Sequence, residues 1–148
     1  MMIKNKLQQA LTAAMKARDV NTRRTLRLVM ATIKLAEVEQ RGEIDDSRIL
    51  SILQKEVKMR EEAIAEAQQA DRDDLVDMAY KEIEILNQFL PKQMDEEELI
   101  SLAKSTIEEI GASSPAEMGA VMKHLMPKLE GRASGQDASR IVRDLLQS

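Results

Sequence analysis

The 148-residue chain contains no cysteine and no tryptophan, and Tyr80 and Phe89 are its only aromatics. Without thiols there is no disulfide, no thiolate nucleophile and no sulfur-ligated metal, and a reducing compartment suits the chain. Without aromatic bulk, a core must be built from aliphatic side chains and the ten methionines. Only five glycines and three prolines interrupt the sequence, and 32% of it is charged. That palette favours helices over strands. Long apolar runs are also missing. The longest stretch without a charge is the nine residues Leu7–Met15, three of them polar, whereas a membrane-spanning helix needs ~20 apolar residues. Met1-Met2-Ile3-Lys4 leads into an amphipathic pattern with no signal-peptide apolar segment. The expectation is a cytoplasmic protein without a membrane partner.

What is present is helical periodicity. Ile3, Leu7, Ala10, Leu11, Ala14 and Met15 recur at three-and-four spacing and predict a first helix. Asp19 or Asn21 can cap a second, with Leu26, Val29, Met30, Ile33 and Ala36 as its stripe. Gly42 should end it in a left-handed conformation. Asp46 or Ser47 should start a long third helix carrying Ile49, Leu53, Val57, Ile64 and Ala67, whose tail from Ala65 to Ala70 has little to bury and should fray. Asp71–Asp74 read as turn and cap, and Leu75, Ala79, Ile83, Leu86 and Leu90 form a fourth stripe. Four one-sided helices on short turns must bury their stripes together, which predicts a four-helix bundle. Pro91 stops the fourth helix. The expected domains are therefore 1–90 and 91–148.

Residues 111–135 hold four of the five glycines, two of the three prolines and the only histidine. Most of this reads as punctuation. Asp95 with Glu98 opens a fifth helix that Gly111 closes. Ser114, Pro115 and Glu117 supply an N-cap, a first-turn proline and a capping-box acid for a sixth. Its stripe is Met118, Val121, Met122, Leu125, Met126 and Leu129. Pro127 should kink it or restart it near residue 124. Gly131 ends it, and Ser134 caps a seventh helix carrying Ala138, Ile141, Val142, Leu145 and Leu146. The second domain should thus be a three-helix bundle and the fold all-α. Gly119 stands out, because glycine inside a helix costs roughly 1 kcal/mol against alanine. The expected compensation is a neighbouring helix too close for a Cβ; the functional alternative is a ligand backbone, such as a phosphate chain.

No chemistry of bond making is legible. Ser114 has no base at helical reach and no glycine-rich amidase signature beside it, and nucleophilic serine needs both a base and an oxyanion hole. His124 has no partner at metal-ligating spacing. No P-loop or dinucleotide fingerprint is present, so no cofactor is expected. Charge is uneven: residues 1–34 carry eight bases and one acid (+7), and residues 35–90 carry seven bases and fifteen acids (−8). Pairing within a bundle accounts for this, with an anionic partner as the alternative. Over residues 115–148 the bases Lys123, Lys128, Arg132, Arg140 and Arg143 face four acids, a net of +1. Such a surface can hold a few phosphates without reading sequence.

The strings "FLPKQMDEEEL", "GASSPAEMGAVMKHLMPKLEGRASG", "IVRDLL" and "TLRLVMATIKLAEVEQR" closely resemble the YqeY-like proteins of the GatB/YqeY family, and the likeness covers almost the whole chain. The resemblance implies a four-helix bundle followed by a three-helix bundle like the tail of GatB, a subunit of the glutamine-dependent tRNA amidotransferase. That tail helps to hold tRNA, and similar domains are appended to some glutaminyl-tRNA synthetases. Carried over, tRNA contact falls on Lys123, Lys128, Arg132, Arg140 and Arg143, beside a tRNA-charging or amidotransferase enzyme. The chain departs at Gln136, where many relatives carry a lysine, and at Ser134, where they carry an acid. The family association with carbon–nitrogen ligase activity, glutamine serving as amido-N-donor, belongs to a catalytic domain of GatB with no counterpart here. The expectation is a non-enzymatic accessory protein, or alternatively a protein-interaction adaptor.

Overall fold

A computed structural model describes residues 2–148. Among these the fold is all-α, with no strand. The helices are α1 (Met2–Ala17), α2 (Val20–Gln40), α3 (Asp46–Gln69), α4 (Asp73–Asn87), α5 (Glu96–Ile110), α6 (Met118–Leu129) and α7 (Gly135–Gln147), with a 3-10 turn at Pro115–Glu117. The expected opening of the first helix lies outside the described residues at Met1. No described helix is long and apolar enough to cross a membrane. The chain divides into two compact units, Met1–Pro91 and Lys92–Ser148.

Each unit has its own aliphatic core. In the first, Leu7 and Leu11 of α1 meet Leu26, Val29 and Ile33 of α2, Ile49 and Leu53 of α3 and Leu86 of α4. Phe89 packs on its margin, whereas Tyr80 is exposed. Bonds at the helix ends fix the order. The Ile3 N–H donates to Asp46 at 3.3 Å, and Lys4 pairs with Glu37 at 2.9 Å, so the start of α1 lies with the end of α2 and the start of α3. In the second unit Leu99 and Ala103 of α5 pack with Val121, Leu125 and Leu129 of α6 and Ala138, Ile141, Val142 and Leu146 of α7.

The caps differ from expectation in instructive ways. Asp19 does cap α2, accepting from the Thr22 N–H at 3.2 Å. At the other end of α2 the left-handed residue is Arg41, with φ 61°, and not Gly42. An arginine holds the strained conformation because its N–H closes the last turn onto Val38. Asp45, one residue earlier than expected, caps α3 through the Arg48 N–H at 2.9 Å. The tail of α3 does not fray: helix continues to Gln69, and Ala67 is buried. No side chain caps α4, whose first turn instead carries an exposed Arg72–Asp74 pair. Its end comes at Asn87, four residues before the proline, in a turn tightened by bonds such as Phe89 N–H to the Leu86 carbonyl at 3.0 Å.

Around residues 111–135, Gly111 and Gly131 take the left-handed conformation their positions require, with φ 70° and 74°. Asp95 and Ser134 cap α5 and α7 as expected, through Glu98 N–H at 2.8 Å and Asp137 N–H at 3.1 Å. Ser114 does not cap with its side chain. Glu117 still reaches back, but to the Ser113 N–H at 2.6 Å, and the chain enters α6 through the 3-10 turn. Pro127 causes no restart: α6 is one helix from Met118 to Leu129. Gly119 has no close neighbour either. A Cβ there would meet nothing within 4 Å, so the helix-contact explanation fails and the position is open.

Candidate nucleic-acid interface

The five candidate bases lie on α6, α7 and the turn between them. Helix α7 is strongly one-sided: Ala138, Ile141, Val142 and Leu146 are buried, while Gln136, Arg140, Arg143 and Gln147 are exposed. That opposition puts Arg140 and Arg143 on a shared outer face. Lys123 is exposed on α6, and His124 beside it is exposed too.

The structure separates these bases into two groups. Lys128 bonds Glu109 of α5 at 2.5 Å and the buried Thr106 hydroxyl at 3.3 Å. That ammonium, by hydrogen bond and by charge, holds the Glu109 carboxyl below its ordinary range. Arg132 is tied more firmly. Its Nε donates to the Lys92 carbonyl and another guanidinium nitrogen to Glu98, both at 2.8 Å. Backbone bonds complete the stitch, with Met94 N–H donating to the Arg132 carbonyl at 2.7 Å. Arg140 faces Glu96 at a looser 3.5 Å. Three bases of α6, α7 and their turn thus reach back to carboxylates of α5. Among the described residues Lys123 and Arg143 pair with no carboxylate. Glu98, expected to complete a capping box, is turned to Arg132 instead.

The ionic cluster that the sequence reading missed lies in the first unit. Arg60 occupies the apolar stripe of α3 between Val57 and Ile64 and is only 9% exposed. Its Nε donates to Glu82 of α4 at 2.6 Å and its Nη1 to Glu56 at 2.7 Å, and Arg24 of α2 approaches Glu82 at 3.5 Å. Burial opposes the charge on Arg60, but its hydrogen bonds to the Glu56 and Glu82 carboxylates, with their charge, outweigh it and raise the pKa above the ordinary arginine value. A base on the i+3, i−4 register of an apolar stripe was the available signal. Among the described residues no group of three or more metal-ligating side chains converges.

Comparison with known proteins places these observations. A 28% identical relative is "Altered inheritance of mitochondria protein 41, mitochondrial" of Pyrenophora tritici-repentis, matched over 86% of this chain and 71% of its own length. A protein of the same name from Clavispora lusitaniae is 29% identical over 96% of this chain and 84% of its own length. An uncharacterized protein of Schizosaccharomyces pombe is 30% identical over 58% of this chain and 70% of its own length. These names correct the expectation of a cytoplasmic protein, since relatives matched over 56% to 96% of the chain are named mitochondrial. That expectation rested on missing apolar segments, which fix no compartment. The model of the Yqey-like protein family matches residues 4–146, and the chain belongs to that family.

Proposed function

We propose that this protein is a non-enzymatic accessory factor in which a four-helix bundle (α1–α4) is followed by a three-helix bundle (α5–α7) that touches tRNA weakly. The observation that carries this reading is the pair of exposed bases without carboxylate partners, Lys123 on α6 and Arg143 on α7. Point charges on rigid helices position a phosphate backbone but specify no sequence. Arg140 is the third contact, because its long ion pair and half-exposed side chain let it exchange Glu96 for a phosphate. Lys128 and Arg132 take part less, being committed to α5. The setting is beside a tRNA-charging or glutamine-dependent amidotransferase enzyme, with the bond-forming chemistry in that partner. The relatives' names give a compartment and an inheritance trait and no reaction, in keeping with an accessory role.

Titration of labelled tRNA at ~50 and ~200 mM salt tests the reading. Two or three phosphate contacts should give a log–log slope of about −2 to −3. No binding at the lower salt would remove it, and ammonia release from glutamine by the purified chain would overturn the non-enzymatic part. A protein-interaction adaptor is the second reading, favoured by Leu28, Leu35, Val38 and Met59, all more than half exposed on α2 and α3.

A further inference from the structure

The four helices of the first unit do not end together. Arg24, Arg60 and Glu82 meet in one ion-pair cluster, which gives a common reference level on α2, α3 and α4. From that level α2 runs back only to Val20, about 6 Å at 1.5 Å per residue, whereas α3 runs on to Gln69 and α4 begins at Asp73, each about 13 Å away. The α3–α4 hairpin therefore projects about 7 Å, more than one helical turn, beyond the start of α2. Its inner side is mostly apolar: a cleft of about 450 Å³ runs from Arg60 and Glu82 to the turn, lined by Ala63, Ala67, Ala70 and Ala79, with Glu66 and Arg72 also facing it. Leu75 and Met78 on its rim are 42% and 41% exposed.

The charge around this cleft is one-sided. Residues 61–77 at the hairpin end carry seven acids, all exposed, and Arg72 as the sole base, a net of −6. Of the seven, Asp74 is paired with Arg72, and the other six form no ion pair among the described residues. At the same end of the unit the α1–α2 corner, residues 15–27, carries five bases and one acid, a net of +4, with Arg24 alone of the five paired to a carboxylate, Glu82, among the described residues. Met15 and Val20 are 48% and 56% exposed there, so the corner too has an apolar centre with a charged rim. Each patch has an apolar centre, and the charged rims are of opposite sign. Because both lie at one end, a twofold axis through that end brings the corner of each copy onto the hairpin of the other, and the contact closes.

We infer that this end of the first unit is a docking surface for a second copy of the chain, the α1–α2 corner of each seating in the α3–α4 cleft of the other. Sedimentation equilibrium of the full chain tests it. In ~20 mM salt at about 100 µM the mass should rise from 16.7 kDa towards twice that, and ~0.5 M salt should return it to the monomer value by screening the rims. Asp73→Lys/Asp77→Lys and Lys16→Glu/Arg18→Glu should each weaken self-association at least tenfold while keeping wild-type helicity by circular dichroism. An equimolar mixture of the two variants should recover part of the association, since the +4 corner of one variant again meets the −6 hairpin of the other. Met78→Glu, on the exposed rim, should also weaken association. A wild-type chain that stays monomeric at low salt would overturn the inference. So would association that either charge reversal leaves unchanged, or a mixture that remains monomeric.

Discussion

Arg60 in the first unit and Arg132 in the second each hold neighbours through one guanidinium, but on opposite sides of the water boundary. Arg60 sits within an apolar stripe, its side chain 11% exposed, with Glu56 and Glu82 at 14% and 15%. Arg132 lies at a rim, 32% exposed, against a carboxylate at 49%. The same pair of charges has different consequences in the two places. A pair taken out of water is costly to break, because the partner left behind is desolvated and unpaired. A pair on the rim hands its members back to solvent at little cost. The first unit thus uses a cation as core material, while the second uses cations to tie α6, α7 and their turn to α5. Lys123 and Arg143 remain available outside both schemes.

Arg60→Ala should break the comparison most visibly. It leaves Glu56 and Glu82 facing a cavity and should destabilise the first unit by about 3 kcal/mol, read from the denaturant midpoint at constant slope. A loss under ~1 kcal/mol would mean that Arg60 behaves like a rim residue. Arg132→Ala should cost about 1 kcal/mol, mainly through the lost bond to the Lys92 carbonyl. Faster amide exchange at Met94 would locate the effect. Gly119→Ala should run the other way, stabilising the second unit by up to about 1 kcal/mol, since the position is helical and unobstructed. A destabilised variant would reinstate a close neighbour there.

Acid sharpens the comparison further. Glu37 in the first unit and Glu109 in the second both titrate below the ordinary 4.5, chiefly through hydrogen bonds from Lys4 and Lys128 respectively. A depressed carboxyl contributes stability that is present above its unfolded pKa and lost as pH falls through its folded pKa. Both contributions should therefore be intact at neutral pH and disappear on acidification below about 4.5. Amide exchange followed through that window should show the decline blunted in the first unit by Glu37→Gln and in the second by Glu109→Gln.

Much of the helical layout was legible because the periodicity is strong. The stripes of α1, α2, α6 and α7 name residues that are buried or half-buried apart from the exposed Met15 and Met126, and Asp19, Asp95 and Ser134 cap where their spacing says. The failures have physical causes. Gly42 lost the left-handed position to Arg41, since closing hydrogen bonds at a helix end can offset the strain of a side chain at positive φ. Pro127 removes a single bond from a helix whose apolar face is buried on both sides of it, and packing keeps the helix whole. Arg60 broke the apolar pattern by occupying a core position as a charge, and a stripe counted in apolar letters skips such a residue. The five bases of the second unit were legible as residue types but not as roles. The α5 carboxylates that hold Lys128, Arg132 and Arg140 lie 19 to 44 residues away in sequence.

The division of those five bases is the claim most directly open to measurement. Salt-dependent tRNA titration of Lys123→Ala/Arg143→Ala, set beside Lys128→Ala/Arg132→Ala, decides it. The first variant should flatten the log–log salt slope by about 2 with its melting temperature unchanged. The second should melt earlier and, below its transition, keep a slope within about 1 of the wild type. A slope that falls with the second variant and holds with the first would contradict the division.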